Sequence, residues 1–212
     1  MAGETPEEEL DGVPVALAAI RPWSPNLDPF TEDRGAPHMH IRPLLARDWE
    51  DVAAIMASSL GPAAFEDEVP SRDQWEARYL PGHRLVAANR EGRVTGWAAL
   101  EPVCDRPALA GVAMVSVFVE PGHRGQGFGR HLLTNLVNSA DEAGLWTLQA
   151  YVAPPGTAAI QLLKDLGFRS VGRRERFARL GGVWHDAVVL ERRSPTVFPQ
   201  DADSTQEVPE AS

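Results

Sequence analysis

The sequence predicts a single α/β (α+β) domain with a mixed central sheet of about seven strands flanked by about four helices. Three observations lead there. Strand-like and helix-like hydrophobic periods alternate between residues 39 and 193. Residues 112 to 131, VAMVSVFVEPGHRGQGFGRH, run from an apolar strand through a basic, Gly-rich turn into an amphipathic helix. The 212-residue chain is 43% hydrophobic, which suits one sizeable core rather than a disordered polymer.

The elements follow in order. Met39 to Pro43 suits a first strand. Over residues 47 to 59, Trp49, Val52, Ile55 and Met56 recur at helical spacing and give one apolar face. Ser71 is placed to cap a short helix reaching Leu80, with Asp73 and Glu76 suited to its positive end. Arg84 to Ala88 and Val94 to Leu100 flank the turn-forming pair Glu91-Gly92 and read as a hairpin. A loop over 101 to 111 leads into a strand over 112 to 119. The next helix, from about Gly127 to Ala143, buries Leu132, Leu133, Leu136 and Val137. Trp146 to Val152 is a strand, and Pro154-Pro155-Gly156-Thr157 opens a helix that Gly167 ends as a left-handed cap. Residues 168 to 178 and 184 to 192 are the last two strands.

The net charge of −10 belongs to the ends. Residues 1 to 38 hold eight acids and two bases, residues 194 to 212 four acids and no base, and the region between is neutral. Both ends are rich in Pro; 1 to 38 has no sustained period, although Val13 to Ile20 is an apolar patch, and 194 to 212 has little to bury, so 1 to 38 reads as an acidic, mostly disordered arm and 194 to 212 as a disordered acidic tail around a domain over 39 to 193. An acidic chain of this kind is a poor partner for nucleic acid. No apolar run approaches membrane-spanning length, and MAGETPEEEL is acidic where a signal peptide would be basic. Cys104 is the only cysteine, which excludes an internal disulfide and fits a cytoplasmic protein. His123, His131 and Cys104 show no paired ligand spacing, so no metal is expected.

The turn after residue 119 carries most of the chemistry. Gly125, Gly127 and Gly129 permit unusual backbone angles and close approach, the amides of a helix start point at an anion, and Arg124 and Arg130 add positive charge. The segment lacks the Gly-Lys-Ser/Thr ending of a nucleotide-hydrolysing loop and the G-x-G-x-x-G spacing of dinucleotide binders. What remains is a cradle for another phosphate-bearing ligand.

Arg124-Gly125-Gln126-Gly127-Phe128-Gly129 fits the Q/R-x-x-G-x-G/A signature, and in that context the chain resembles the GNAT acyl-CoA N-acyltransferases. Phe65-Glu66, Trp75, Pro102, Arg106, Leu166-Gly167-Phe168 and Gly182-Val183-Trp184-His185-Asp186 resemble the phosphinothricin N-acetyltransferase-like branch of that family. The resemblance implies a cofactor cleft splayed between the fourth and fifth strands. Acetyl-CoA would be the acyl donor: Val117, Phe118 and Val119 would line its pantetheine arm, and Arg124, Gly125, Gln126, Gly127, Phe128, Gly129 and Arg130 would hold its diphosphate. It further implies direct acetylation of a small-molecule amine, of the phosphinothricin or methionine sulfoximine type, and pairing of two copies through their C-terminal strands. Phe65 would wall the acceptor pocket, and Arg106 would clamp an acceptor carboxylate.

The chain departs from that branch at the chemistry. Met114 stands where the branch has a Glu, Leu163 where it has a His and many relatives a Tyr, and Gly156 where it has an Asn. Val103 and Leu109 replace aromatic residues near the acceptor loop. The acceptor must lose a proton, so another group is needed as base, with Glu66 and His185 as candidates. Otherwise an acceptor of low pKa needs only positioning. Two further readings stay open: acyl-CoA binding or regulation without transfer, and acetylation of peptide or protein amines.

Overall fold

A computed structural model describes residues 39–197. The arm over 1 to 38 and residues 198 to 212 of the tail lie outside the described residues. The strands are β1 (His40–Pro43), β2 (Arg84–Ala88), β3 (Val94–Pro102), β4 (Val112–Val119), β5 (Thr147–Val152), β6 (Arg169–Leu180) and β7 (Val183–Arg193), and the helices are α1 (Trp49–Ala57), α2 (Arg72–Arg78), α3 (Phe128–Glu142) and α4 (Thr157–Asp165). They form one seven-stranded sheet in the order β1-β2-β3-β4-β5-β7-β6. Its neighbours are antiparallel except β4 and β5, which run parallel across the α3 crossover.

Alternation along the strands divides the core between the two sheet faces. Leu85, Ala98 and Leu100 pack with Leu132, Leu133 and Leu136 of α3. Val86, Trp97 and Ala99 turn the other way, onto Val52, Ile55 and Met56 of α1 and Trp75 of α2. The sequence determines the ends of these elements locally. Ser71 Oγ accepts from Gln74 N while Gln74 Oε1 accepts from Ser71 N, the reciprocal box that starts α2. Gly167 has φ +86°, and Gly167 N and Phe168 N donate to the carbonyls of Lys164 and Leu163, closing α4.

Several boundaries shift by one or two residues, as where β6 runs to Leu180 and β7 from Val183 to Arg193, and two of the differences have a clear physical reason. β3 runs on to Pro102, past the expected end at Leu100, because its antiparallel register with β4 continues through Glu101 opposite Met114 and Pro102 opposite Ala113. Ser194, expected to open the tail, is buried: its amide donates to Trp146 O at 3.0 Å, and its hydroxyl accepts from Thr196 N and Val197 N. Among the described residues no helix is long and apolar enough to cross a membrane.

Candidate active site

β4 and β5 pair only at Val112 to Met114 with Thr147 to Gln149. Beyond that point β4 continues to Val119 while β5 diverges. Val112 O accepts from Val103 N on one side, and Glu120 N donates to Thr95 O on the same side, so even-numbered residues turn their backbone groups toward β3. By alternation Val115, Val117 and Val119 turn theirs toward the gap. An extended ligand can add to such an edge as a strand would. Phe118 contributes differently, since its backbone faces β3 and its ring stacks on Trp97 at 4.9 Å.

The cradle sits at the end of that edge. Gly125 has φ +74° and Gly127, the N-cap of α3, has φ +90°, angles that side chains resist. The helical ladder begins with His131 N donating to Gly127 O, so the amides of Phe128, Gly129 and Arg130 precede it at the positive pole of the helix. Phe128 can offer only its backbone, because its ring is buried edge-on to His123. A Cβ on Gly129 would stand 3.4 Å from Leu162 and 3.6 Å from Val119, ordinary van der Waals contacts. Arg124 Nε donates to Val119 O at 3.0 Å, Gln126 Nε2 to Gly122 O at 2.9 Å, and Arg130 pairs with Asp165. A β4 edge leading to helix-terminal amides fits a ligand with an amide-bearing arm and a diphosphate.

A cleft of about 430 Å³ opens where β4 and β5 part. Its walls come from both sheet faces, with Met56, Phe65 and Phe118 on one side and Ala159, Leu162 and Leu163 on the other. They are mostly apolar, and the polar exceptions are Glu66, Arg78, Tyr79, Glu101, Ser116 and Tyr151. Arg78 Nη1 donates to Glu66 Oε1, and Arg78 Nε lies 4.0 Å from Glu101 Oε2. The Tyr79 hydroxyl donates to Ser116 Oγ at 3.3 Å, and burial raises its phenol above the usual range. Burial, opposed by Arg78 and assisted by Glu66, pushes the Glu101 carboxyl up to about 7. The loop ahead of α2 closes the cleft: Gly61 N donates to Glu66 O, and Gly181 N at the β6–β7 turn donates to Asp67 Oδ2. Within it Phe65 holds φ +54°, with its ring edge-on to Phe177.

The structure brings some of the expected site residues together and leaves others apart. Phe65, Glu66, Val117 and Phe118 share the cleft with Met114, Gly156 and Leu163. His185 is half-buried on β7 opposite Ala178 and does not line the cleft. Arg106 is exposed where a 3-10 turn begins, also outside the lining. At Gly156 a Cβ would stand 2.4 Å from Val152 Cγ1 and 2.7 Å from Ala153 O, so this backbone excludes the Asn of the branch. Arg78, Tyr79, Glu101 and Ser116 were not singled out from sequence. For Glu101 a signal existed, because it extends the alternation of Trp97 and Ala99 by one step. Among the described residues no group of three or more His, Cys, Asp or Glu is placed to hold a metal.

Comparison with known proteins gives a consistent result. The model of the acetyltransferase (GNAT) family matches residues 49–168. A phosphinothricin N-acetyltransferase of Alcaligenes faecalis is 31% identical over 160 residues, covering 72% of this chain and 81% of its own. An L-methionine sulfoximine/L-methionine sulfone acetyltransferase of Salmonella typhimurium is 29% identical, covering 55% of this chain and 68% of its own. Among solved structures, a phosphinothricin acetyltransferase of Sinorhizobium meliloti in complex with AcCoA superposes with a TM-score of 0.68 at 25% identity, over 77% of this chain and 94% of that one.

Proposed function

The chain belongs to the GNAT acetyltransferase family, and we propose that it transfers the acetyl group of acetyl-CoA to the amine of a small molecule, of the phosphinothricin or methionine sulfoximine type. One observation carries the reading: the edge of β4 that β5 leaves unpaired leads from the α3 amide cradle into the cleft. Val117 and Val119 would pair with the pantetheine arm, and the amides of Gly125 to Arg130, with Arg124, would hold the diphosphate. Acetyl-CoA supplies an activated thioester carbonyl for direct attack by nitrogen. The cleft wall carries the carboxylates Glu66 and Glu101 against one guanidinium, Arg78, a balance that suits a cationic amine. An acceptor of amino-acid type also needs a cation for its carboxylate, and Arg78, whose Nη1 is bonded to Glu66, lines the cleft where Arg106 does not. A cytoplasmic location, a domain over 39 to 193 between acidic ends, and pairing of copies through C-terminal strands complete the reading.

A second reading, acyl-CoA binding without transfer, is favoured by the apolar Met114 and Leu163 on the cleft wall. Incubation with acetyl-CoA and a panel of amino acids, their sulfone, sulfoximine and phosphinate analogues, polyamines and peptide N-termini separates the two. Release of free CoA above background with an amino-acid analogue supports transfer. Binding seen by calorimetry with no release across the panel supports the second reading, and release only with peptides would move the acceptor to protein amines.

The cradle gives its own prediction. Gly127→Val places a β-branched residue at φ +90°, where conformation rather than space is limiting, since only His131 lies near the new Cβ at 3.7 Å. Relief of that strain turns the helix-start amides away, and acetyl-CoA affinity measured by calorimetry is expected to fall roughly tenfold. Unchanged affinity would mean that the cofactor does not use this helix end.

A further inference from the structure

We propose that Glu101 is the general base of this enzyme, a carboxylate carried on β3 in place of the one that Met114 removes from β4. The inference rests on the acetyl-transfer reading above and adds the group that receives the acceptor's proton. Glu101 and Met114 are direct partners in the antiparallel register. Side chains of such partners lie on the same face of the sheet, about 5 Å apart at Cβ, so a carboxylate on either strand reaches the same part of the cleft. Both line it, beside Ser116 and Tyr79. Glu66 is less suited to the task, because Arg78 already holds its carboxylate, and His185 lies outside the lining.

The surroundings of Glu101 are those of a working base. Its side chain is 17% exposed, enough for contact with a ligand in the cleft and little enough to penalise charge. The charged or titratable groups that act on it are Arg78 and Tyr79 from α2 and its end and Glu66 from the loop ahead of it, and Tyr151 of β5 lines the same cleft. From β4 it meets only the neutral Met114 and Ser116. Held near neutrality by that balance, Glu101 accepts a proton around pH 7 and returns it to water afterwards.

The step balances as follows. The bound ammonium gives one proton to the Glu101 carboxylate, directly or through one water, and becomes a neutral amine. Its lone pair forms the C–N bond to the acetyl carbonyl carbon, and the C–S bond breaks with its electron pair on sulfur. The second nitrogen proton ends on sulfur, giving the N-acetyl product and the free thiol, while the first leaves Glu101 for solvent.

Three measurements on the full chain test this. Carboxyl carbon NMR of the ligand-free protein labelled at glutamate, assigned with Glu101→Gln, is expected to show Glu101 titrating near pH 7, and a midpoint below about 5 would overturn the proposal. Glu101→Gln is expected to lower kcat by about a hundredfold or more and to abolish the acidic limb of the kcat/KM profile, with acetyl-CoA affinity by calorimetry unchanged. Met114→Glu, added to Glu101→Gln, is expected to recover turnover by returning the carboxylate to β4, a rescue that a merely structural Glu101 would not allow. Wild type that turns over while Glu101→Gln keeps its rate and pH profile sinks this proposal alone. Wild type that binds acetyl-CoA and acetylates no amine removes the acetyl-transfer reading, and this assignment with it.

Discussion

Arg192→Ala is expected to lower stability by about 3 kcal/mol, a fall in melting temperature of roughly 6–12 °C for a domain of this size. The reason lies in the pairing of β7 with the far end of α3. Arg192 Nη1 and Nη2 donate to Asp141 Oδ1 and Oδ2 at 2.9 and 2.8 Å, a two-pronged bond between side chains only 11% and 16% exposed. Asp141 stands in the last turn of α3, where the helix dipole disfavours a negative charge, so it depends on its partner. Removing Arg192 leaves that charge in a site with little access to water. Urea unfolding of Arg192→Ala, Asp141→Ala and the double variant tests the account, with the double variant expected to lose less than the singles together. Additive losses would show that the two groups do not act as a pair. Because α3 begins at the cradle, the same contact anchors the helix whose other end presents the amides of Phe128 to Arg130.

Arg192 and Glu101 also show where sequence reading stops. Features set by a few neighbouring residues were legible: the Ser71 cap, the turn at Gly92 with φ +81°, the left-handed cap at Gly167, and the Gly-rich entry to α3. Each depends on local backbone geometry, which the residue type constrains directly. The strand order, with β4 and β5 parting after Met114, agrees with the fold implied by the resemblance. What escaped was the pairing of side chains brought together from distant segments. Asp141 and Arg192 are 51 positions apart, and nothing in either neighbourhood marks them as partners. In the sequence Glu101 reads as the first residue of a loop, because a charge at the end of an apolar run reads as the end of a strand. Only the β3–β4 register sets it opposite Met114 and reveals that a carboxylate apparently missing from the site has a neighbour able to replace it.

A residue kept for chemistry can cost stability, and Glu101 is expected to do so. Burial, which penalises its charge, pushes its carboxyl up to about 7 in the folded protein against 4.5 for an unperturbed glutamate. Between those values the folded state binds more protons than the unfolded one, so stability falls as pH rises from about 4.5 to about 7 and levels off above. The shift corresponds to about 3 kcal/mol lost once Glu101 is ionised. Glu101→Gln keeps the shape and removes the charge, so it is expected to match wild type near pH 4.5 and exceed it by up to about 3 kcal/mol at pH 8. Paired urea titrations at these pH values read the difference directly, and the other carboxylates cancel because both proteins contain them. Parallel pH–stability curves would show that Glu101 is not held in its charged form at a cost, and would remove the thermodynamic signature of a buried base. A gap that opens between about pH 4.5 and 7 and stays constant above, in the variant whose turnover is lost, would tie the destabilising charge to the proton that acetyl transfer has to move.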